Sequence, residues 1–458
     1  MKHRPALDPD FVPAVLWNRS YAAKAAKTPG SKPLVISLER GDSTVSVYRT
    51  TVLPHTPENS ALNIRYVERL LKFLLWQRGG YRVLIAGDPV IAAEIKTIYS
   101  PVGARAFDFN FMGSKVYGRS MEVESCDLDA VPEPRELSIP LGRNLDGCRI
   151  GFDLGGSDRK CAALLDGKVV FSEEVPWDPY FQSDPQYHYD GIRETLRRAA
   201  EHLPRVDAIG GSAAGVYVNN EVRVASLFRG VSEGDFEKRV RRIFFDLQKE
   251  WGGIPFEVVN DGEVTALAGS MSMNVNAVLG ISLGTSLAAG YVDPDGHIRP
   301  WLNELAFAPV DYRENAPIDE WSGDAGCGVQ YFSQQGVARL VPLAGIPLPA
   351  EMPFAEQLVE VQRLMAEDDP RAHRIFQSIG VSLGYTIAHY ADFYDFKDIL
   401  LLGRVTSGKG GNVVVSYARD VLLAQFPELA DRVAINVPDE KSRRVGQAVA
   451  AASLPKLK

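Results

Sequence analysis

A chain of 458 residues is long enough for two or three domains, each with its own core. Its net charge of −8 argues against a general affinity for nucleic-acid phosphates, and no apolar run reaches membrane-spanning length. The start (Met1-Lys-His-Arg-Pro) lacks the apolar core of a signal peptide, and the four cysteines, at 126, 148, 161 and 327, contain no CxxC pair, so reduced thiols, no zinc site and a cytoplasmic protein are expected.

The chain opens with a Pro- and Ala-containing arm to about residue 32. Two strands are expected at 33–40 and 43–52, around Arg40-Gly41-Asp42. Val67, Leu70, Leu71, Phe73 and Leu74 fall at helical spacing and predict an amphipathic helix over 63–77. A buried-type strand (81–87), a helix (89–99) and one or two strands within 105–124 follow, and a linker with three prolines spans 131–141. The strand–turn–strand start loosely echoes 150–166, with Glu39-Arg40-Gly41 where the later turn has Leu154-Gly155-Gly156. An unrelated accessory domain is preferred to a degenerate repeat. A helix-turn-helix DNA reader needs two helices at a turn with basic residues on the second. Here the best helix leads into a strand, and 89–99 holds one basic residue, Lys96.

At Arg149-Ile-Gly-Phe-Asp-Leu-Gly-Gly-Ser-Asp-Arg-Lys160 a short strand runs into a glycine turn, and a second strand returns to the hairpin signal Asp166-Gly167. Gly155 and Gly156 let the backbone turn without a Cβ. Backbone N–H groups at such a turn can converge on an anion, with Ser157 and Lys160 supplying a hydroxyl and a charge, and Asp153 can hold a hydrated Mg²⁺. Taken alone, the stretch reads equally as an ordinary hairpin. A second such turn follows at Gly284-Thr285-Ser286, between the apolar runs 277–283 and 287–292. The pair resembles the two phosphate loops of the actin, Hsp70 and sugar-kinase superfamily, and within it the ROK family of sugar kinases and sugar-responsive repressors. The resemblance covers about residues 149–455.

Between the turns, a helix is expected at 189–202 and a strand at 207–211 that ends in Gly210-Gly-Ser-Ala-Ala-Gly215. A helix over 235–251, with Asp235 as N-cap, ends at Gly252-Gly253. A buried-type strand then delivers Asn260 and Asp261 to the start of the next helix. Helices at 334–343, 354–366 and 370–392 precede a buried strand from 397, a loop with glycines at 408, 410 and 411, and a closing helix at 443–451.

The resemblance implies an α/β fold: two RNase H-like, actin-type ATPase lobes with a cleft between them, plus the N-terminal α/β accessory domain. The expected parts are 1–145, a first lobe over 146–272 and a second over 273–458, whose last helix packs back on the first lobe. By the same resemblance Asp261 is the general base that takes the proton of a sugar hydroxyl, against the plainer reading of a helix cap. Asn260, Glu304, Gly211 and Ser212 fall on sugar-binding positions, although 210–215 also reads as a plain strand-to-loop turn. Gly155, Gly156, Ser157, Lys160, Gly284, Thr285 and Ser286 fall on the ATP phosphate turns, and Gly403 and Arg404 on the adenosine motif.

Several positions depart from the family pattern. Phe307 stands where it has a zinc-ligating His, Cys327 alone remains of its Cys-rich motif, and a second sugar-contacting Glu is replaced by Val329 or Gln330. No zinc is expected, because a structural site needs four ligands. Arg404 would either crowd the adenine or stack on it. The implied function is an ATP- and Mg²⁺-dependent kinase of a sugar or polyol, with a homodimer suggested by the family and neither membrane nor nucleic acid as a partner. The alternative is a non-catalytic sugar or nucleotide sensor.

Overall fold

In a computed structural model the chain is described over residues 1–41, 44–136, 141–438 and 443–457, the side chains of 443–445 excepted. It divides into two units. Unit 1 comprises 1–136, 281–288 and 301–437, and unit 2 comprises 137–280, 289–300 and 438–458.

The N-terminal part of unit 1 is built on β1 (Lys32–Glu39), β2 (Val45–Val52), β3 (Arg82–Ala86) and β4 (Glu122–Cys126), ordered β2-β1-β3-β4. β1 is antiparallel to both β2 and β3, while β3 and β4 run parallel. The expected arm is instead helical over Ala14–Lys27, with Ala14, Val15, Asn18, Tyr21 and Ala25 buried along one stripe. Residues 105–117 are not strand either. They form the helix Ala106–Asn110 and the π-helical turn Phe111–Tyr117, which place Phe107 and Phe111 side by side. The helix Ser60–Arg78 is buried almost all round from Tyr66 to Gln77, charged residues included.

Unit 2 is built on β5 (Cys148–Leu154), β6 (Asp158–Leu165), β7 (Lys168–Pro176) and β8 (Ala208–Ala213), the small hairpin β9 (Val216–Val218) and β10 (Glu221–Val224), and β11 (Phe256–Asn260). The main sheet has the order β11-β8-β5-β6-β7, with β5, β6 and β7 antiparallel in turn and β5, β8 and β11 parallel. The parallel pairing of β5 with β8 contrasts with the antiparallel pairing of β1 with β3, so the N-terminal hairpin is not a repeat of this one. Alternate residues of β5 (Ile150, Phe152, Leu154) join the core with Ile192, Leu196, Phe244 and Phe256. The opposite face, which carries Gly151 and Asp153, receives the closing helix Arg443–Ala452. Gly151 and Gly210 are register partners, and a Cβ on either would stand 1.7 Å from a carbonyl oxygen of that helix.

The helix expected to start at Asp235 begins earlier and is broken. Ser232 caps it by accepting from the Asp235 N–H, Phe236–Val240 is a π-helical turn, and Ile243–Glu250 completes it. A last sheet has the order β13-β12-β14-β15, from β12 (Val278–Leu283), β13 (Leu287–Val292), β14 (Asp398–Leu402) and β15 (Ala434–Asn436). The glycines expected in a loop at 408, 410 and 411 form the first turn of the helix Gly408–Gln425. None of the described helices is long and apolar enough to cross a membrane.

Candidate active site

In unit 2 the end of β5 puts Asp153 opposite Ser212 of β8. The Ser212 hydroxyl donates to Asp153 Oδ1 at 2.7 Å, and Lys160 Nζ lies 3.7 Å from Oδ2. Lys160 also pairs with Asp158 at 2.8 Å. Burial raises the pKa of Asp153, against the pull of Ser212 and Lys160. Burial would lower that of Lys160, but its bond to Asp158 and the charges of both aspartates raise it. The lysine therefore stays cationic.

The turn between β5 and β6 is held by Gly155 N–H donating to the Asp158 carbonyl at 2.9 Å, and by the Trp177 indole donating to the Gly155 carbonyl at 2.7 Å. Ser157 is exposed and donates to Asp158 Oδ2. A Cβ at Gly156 would collide with the Tyr180 hydroxyl, so that residue must be glycine while Tyr180 lies over the turn. Neither Trp177 nor Tyr180 carries a motif that sequence reading could have used.

Asp153, Asp158 and Lys160 together hold one more negative charge than positive. A hydrated Mg²⁺ keeps most of its waters and takes one or two carboxylates plus substrate phosphates, so this donor set fits it. Among the described residues no group of three or more His, Cys, Asp or Glu is placed to hold a metal by itself.

Asp261 is the first residue of the helix Asp261–Met273, and the residue that caps the helix is Asn260, whose Oδ1 accepts the Gly262 N–H at 2.7 Å. Asn260 Nδ2 donates to the Gly215 carbonyl at 2.7 Å, so both ends of its amide are engaged within the unit. Gly211 and Ser212 are likewise buried in β8. Burial and then the charge of Asp153 push Asp261 up to about 6, against the stabilising Gly262 N–H. Tyr217, on β9, feels the Asp261 charge, and burial drives its own pKa upward. It is a neighbour of the site that sequence reading missed.

In unit 1 the second glycine turn is closed by Gly284 N–H donating to Ser286 O at 3.0 Å, and the Gly284 carbonyl accepts the Gln334 N–H. Thr285 and Ser286 are exposed, and neither hydroxyl has a partner among the described residues. Gly403 has φ of 92°, and a Cβ there would stand 2.3 Å from Leu283 O, which ties the end of β14 to the end of β12. Arg404 is exposed and its guanidinium makes no ion pair among the described residues.

Glu304 lies in a loop fastened to the end of the helix Ser60–Arg78. Asn303 N–H donates to the Gln77 carbonyl and Glu304 N–H to the Trp76 carbonyl, each at 2.9 Å. Phe307 is buried against Trp76 (centroids 4.4 Å apart), Phe107 and Trp321. Cys327 is fully buried beside Asp324, and burial pushes its thiol up to about 12, only partly offset by the charge of Lys72. Around it stands a buried ion network: Lys72 pairs with Asp108 (2.9 Å) and Asp324 (3.2 Å), and Arg69 and Arg105 join Glu68 to Asp324. Phe307, where the resemblance would place a zinc-ligating His, is thus packed among rings, and Cys327 stands beside the ion pairs of Asp324.

No family model matches the chain, and no curated protein matches it. Solved structures do. The ROK hexokinase from Thermus thermophilus matches with a TM-score of 0.52 at 18% identity, over 66% of this chain and 97% of that one. A ROK family transcriptional regulator, homolog of the E. coli MLC protein, matches with 0.51 at 19%, over 67% and 78%. Identity this low establishes fold and leaves activity to be argued from the site. Over about two thirds of its length the chain thus shares the α/β fold of the ROK hexokinase and of a ROK family regulator.

Proposed function

We propose that the protein is an ATP-dependent sugar kinase that transfers the γ-phosphoryl group of ATP to a hydroxyl of a sugar or polyol. The observation that carries this reading is Asp261, a carboxylate raised to about 6 at the start of a helix, within the field of Asp153. A base needs a pKa near the working pH, so that it is ionised and still accepts a proton. Asp261 would take the hydroxyl proton as the oxygen bonds to the γ-phosphorus and the bond to ADP breaks. Asn260 orients it by capping the helix and holding Gly215, and Ser212 fixes Asp153. Gly155, Gly156, Ser157 and Lys160 are proposed to receive phosphate oxygens. Thr285 and Ser286, with Gly403 and Arg404, are proposed to hold the nucleotide on unit 1, and Glu304 a sugar hydroxyl. Mg²⁺, bound through Asp153 and its hydration shell, would neutralise phosphate charge.

The test is ADP release across hexoses, amino sugars and polyols, with Asp261→Asn as control. Turnover with one compound, lost in the variant, supports the reading. No turnover with any, alongside nucleotide or sugar binding, favours a non-catalytic sensor. Phe307 in a closed aromatic cluster supports that second reading, because the sugar-side segment has been rebuilt.

A further inference from the structure

In unit 2 the segment after β7 is fastened to the first glycine turn. Trp177 N–H donates to the Ser157 carbonyl at 3.0 Å, its indole to the Gly155 carbonyl at 2.7 Å, and the Tyr180 hydroxyl sits over Gly156. A second segment, 226–230, is locked to the first. His188 Nε2 lies 3.1 Å from Pro179 O and 3.0 Å from Leu227 O, and because carbonyls only accept, its N–H is shared between the two segments. Leu227 and Phe228 are buried, and a Cβ on Gly230 would stand 2.7 Å from Gln182 O. Between these fixed points Arg229 is turned outward. Its guanidinium carbon stands 4.1 Å from the centroid of the Tyr180 ring and 5.2 Å from that of Phe181. The guanidinium makes no ion pair and no hydrogen bond among the described residues. Phe181 is 76% exposed, so burial does not account for its place beside Arg229.

Stacking occupies the face of a guanidinium and leaves its forked N–H edge free, the edge that matches phosphate oxygens. The neighbouring carboxylates do not use it. Asp178, Glu233 and Asp235 are exposed and none pairs with Arg229, while Asp184 is taken by Arg239 at 3.0 Å. The glycine turn has no cation to spare. Lys160 is shared between Asp158 at 2.8 Å and Asp153 at 3.7 Å, and the three groups together are negative. A Mg²⁺-bound triphosphate is still an anion, and its reaction depends on neutralising the charge that it carries. Arg229 stands one ring away from Gly156, and its side chain is long enough to swing past the edge of Tyr180.

We infer that Arg229, parked on Tyr180 and Phe181, is a phosphate-binding residue that reaches the outer phosphates of a nucleotide at the Gly155-Gly156 turn and stabilises the charge on the transferred group. It rests on the reading of that turn as a phosphate site. The experiment is calorimetric titration of the full chain with AMPPNP and with AMP, each with Mg²⁺, repeated on Arg229→Ala and Arg229→Lys. The native protein should bind AMPPNP more tightly than AMP. Arg229→Ala should weaken AMPPNP tenfold or more and AMP less than twofold, at an unchanged melting temperature, and Arg229→Lys should lose less than Arg229→Ala. With a sugar that turns over, Arg229→Ala should lower kcat about a thousandfold and leave the KM for the sugar unchanged. If Arg229→Ala binds AMPPNP as tightly as the native protein, the inference is overturned, while the kinase reading stands wherever Asp261→Asn abolishes turnover. If no sugar turns over but AMPPNP affinity still falls with Arg229, the kinase reading fails and the inference holds. A native protein with no affinity for AMPPNP would overturn both.

Discussion

Gly151 and Gly210 face each other across the parallel pair β5 and β8, and together they form the bare floor on which the helix Arg443–Ala452 lies. A methyl at Gly151 would stand 1.7 Å from the Ala448 carbonyl, and backbone cannot yield as a flexible side chain does. Gly151→Ala should therefore cost about 3 kcal/mol or more, at the upper end of overpacking penalties. Urea unfolding measures it, and an unchanged midpoint would mean that the helix does not sit on these strands.

Asp261→Asn should have two opposite effects. Turnover, where present, should fall by about a hundred- to ten-thousandfold through loss of the base. Stability should rise at neutral pH. An acid whose folded pKa is raised favours the fold below its ordinary value near 4, and that advantage is lost as pH climbs through about 6. Above pH 6 the native protein thus bears a penalty of up to about 3 kcal/mol that the amide lacks. Melting curves at pH 4 and pH 8 should show the difference between the two proteins only at the higher pH. The rate of the native enzyme should rise along a limb centred near 6.

Asn260→Ala removes the acceptor for Gly262 N–H and the donor to Gly215 O in one change. A loss of about 1–2 kcal/mol is expected from the cap alone. Asn260→Asp would keep the cap and lose the donor, so comparing the two variants in chemical denaturation separates the contributions.

Lys72→Met leaves Asp108 and Asp324 buried without their shared cation. Breaking a buried pair from one side costs about 3–5 kcal/mol. If urea unfolding of the variant moves by less than about 1 kcal/mol, the network does not hold this region together.

The legible parts of the sequence were those where local pattern and tertiary role agree. Asp153-Leu-Gly-Gly and Leu283-Gly-Thr-Ser sit between apolar runs that have only one way to pair, and the structure builds both as strand–turn–strand. Phe107, Phe109 and Phe111 alternate as a strand would, yet the segment is helical. There Phe107 and Phe111 stack at i and i+4, and Asp108 turns to Lys72, a partner 36 residues away that no local window includes. The helix Ala14–Lys27 was obscured because five of its residues are alanines, at 14, 22, 23, 25 and 26, so its polar and apolar faces differ little. Trp177, Tyr180 and Tyr217 are unremarked aromatics until folding sets them beside Gly155, Gly156 and Asp261. Asn260 and Ser212 could be picked out by position, but it is the fold that turns their polar atoms inward, to Gly215 O and Asp153.

The attachment of Asn303 and Glu304 to the Gln77 and Trp76 carbonyls works in both directions. A helix leaves its last carbonyls without internal partners, and here the Glu304 loop satisfies two of them. The loop is thereby a C-terminal clasp for the helix Ser60–Arg78, and the helix is a template for the loop. Deleting the first 136 residues would therefore not yield a smaller protein with the same Glu304, because the loop would lose the edge that shapes it. Conversely, a ligand that steadies Glu304 should slow amide exchange at Asn303 and Glu304 and reduce fraying of the last turn before Arg78, so occupancy becomes readable at the end of that helix.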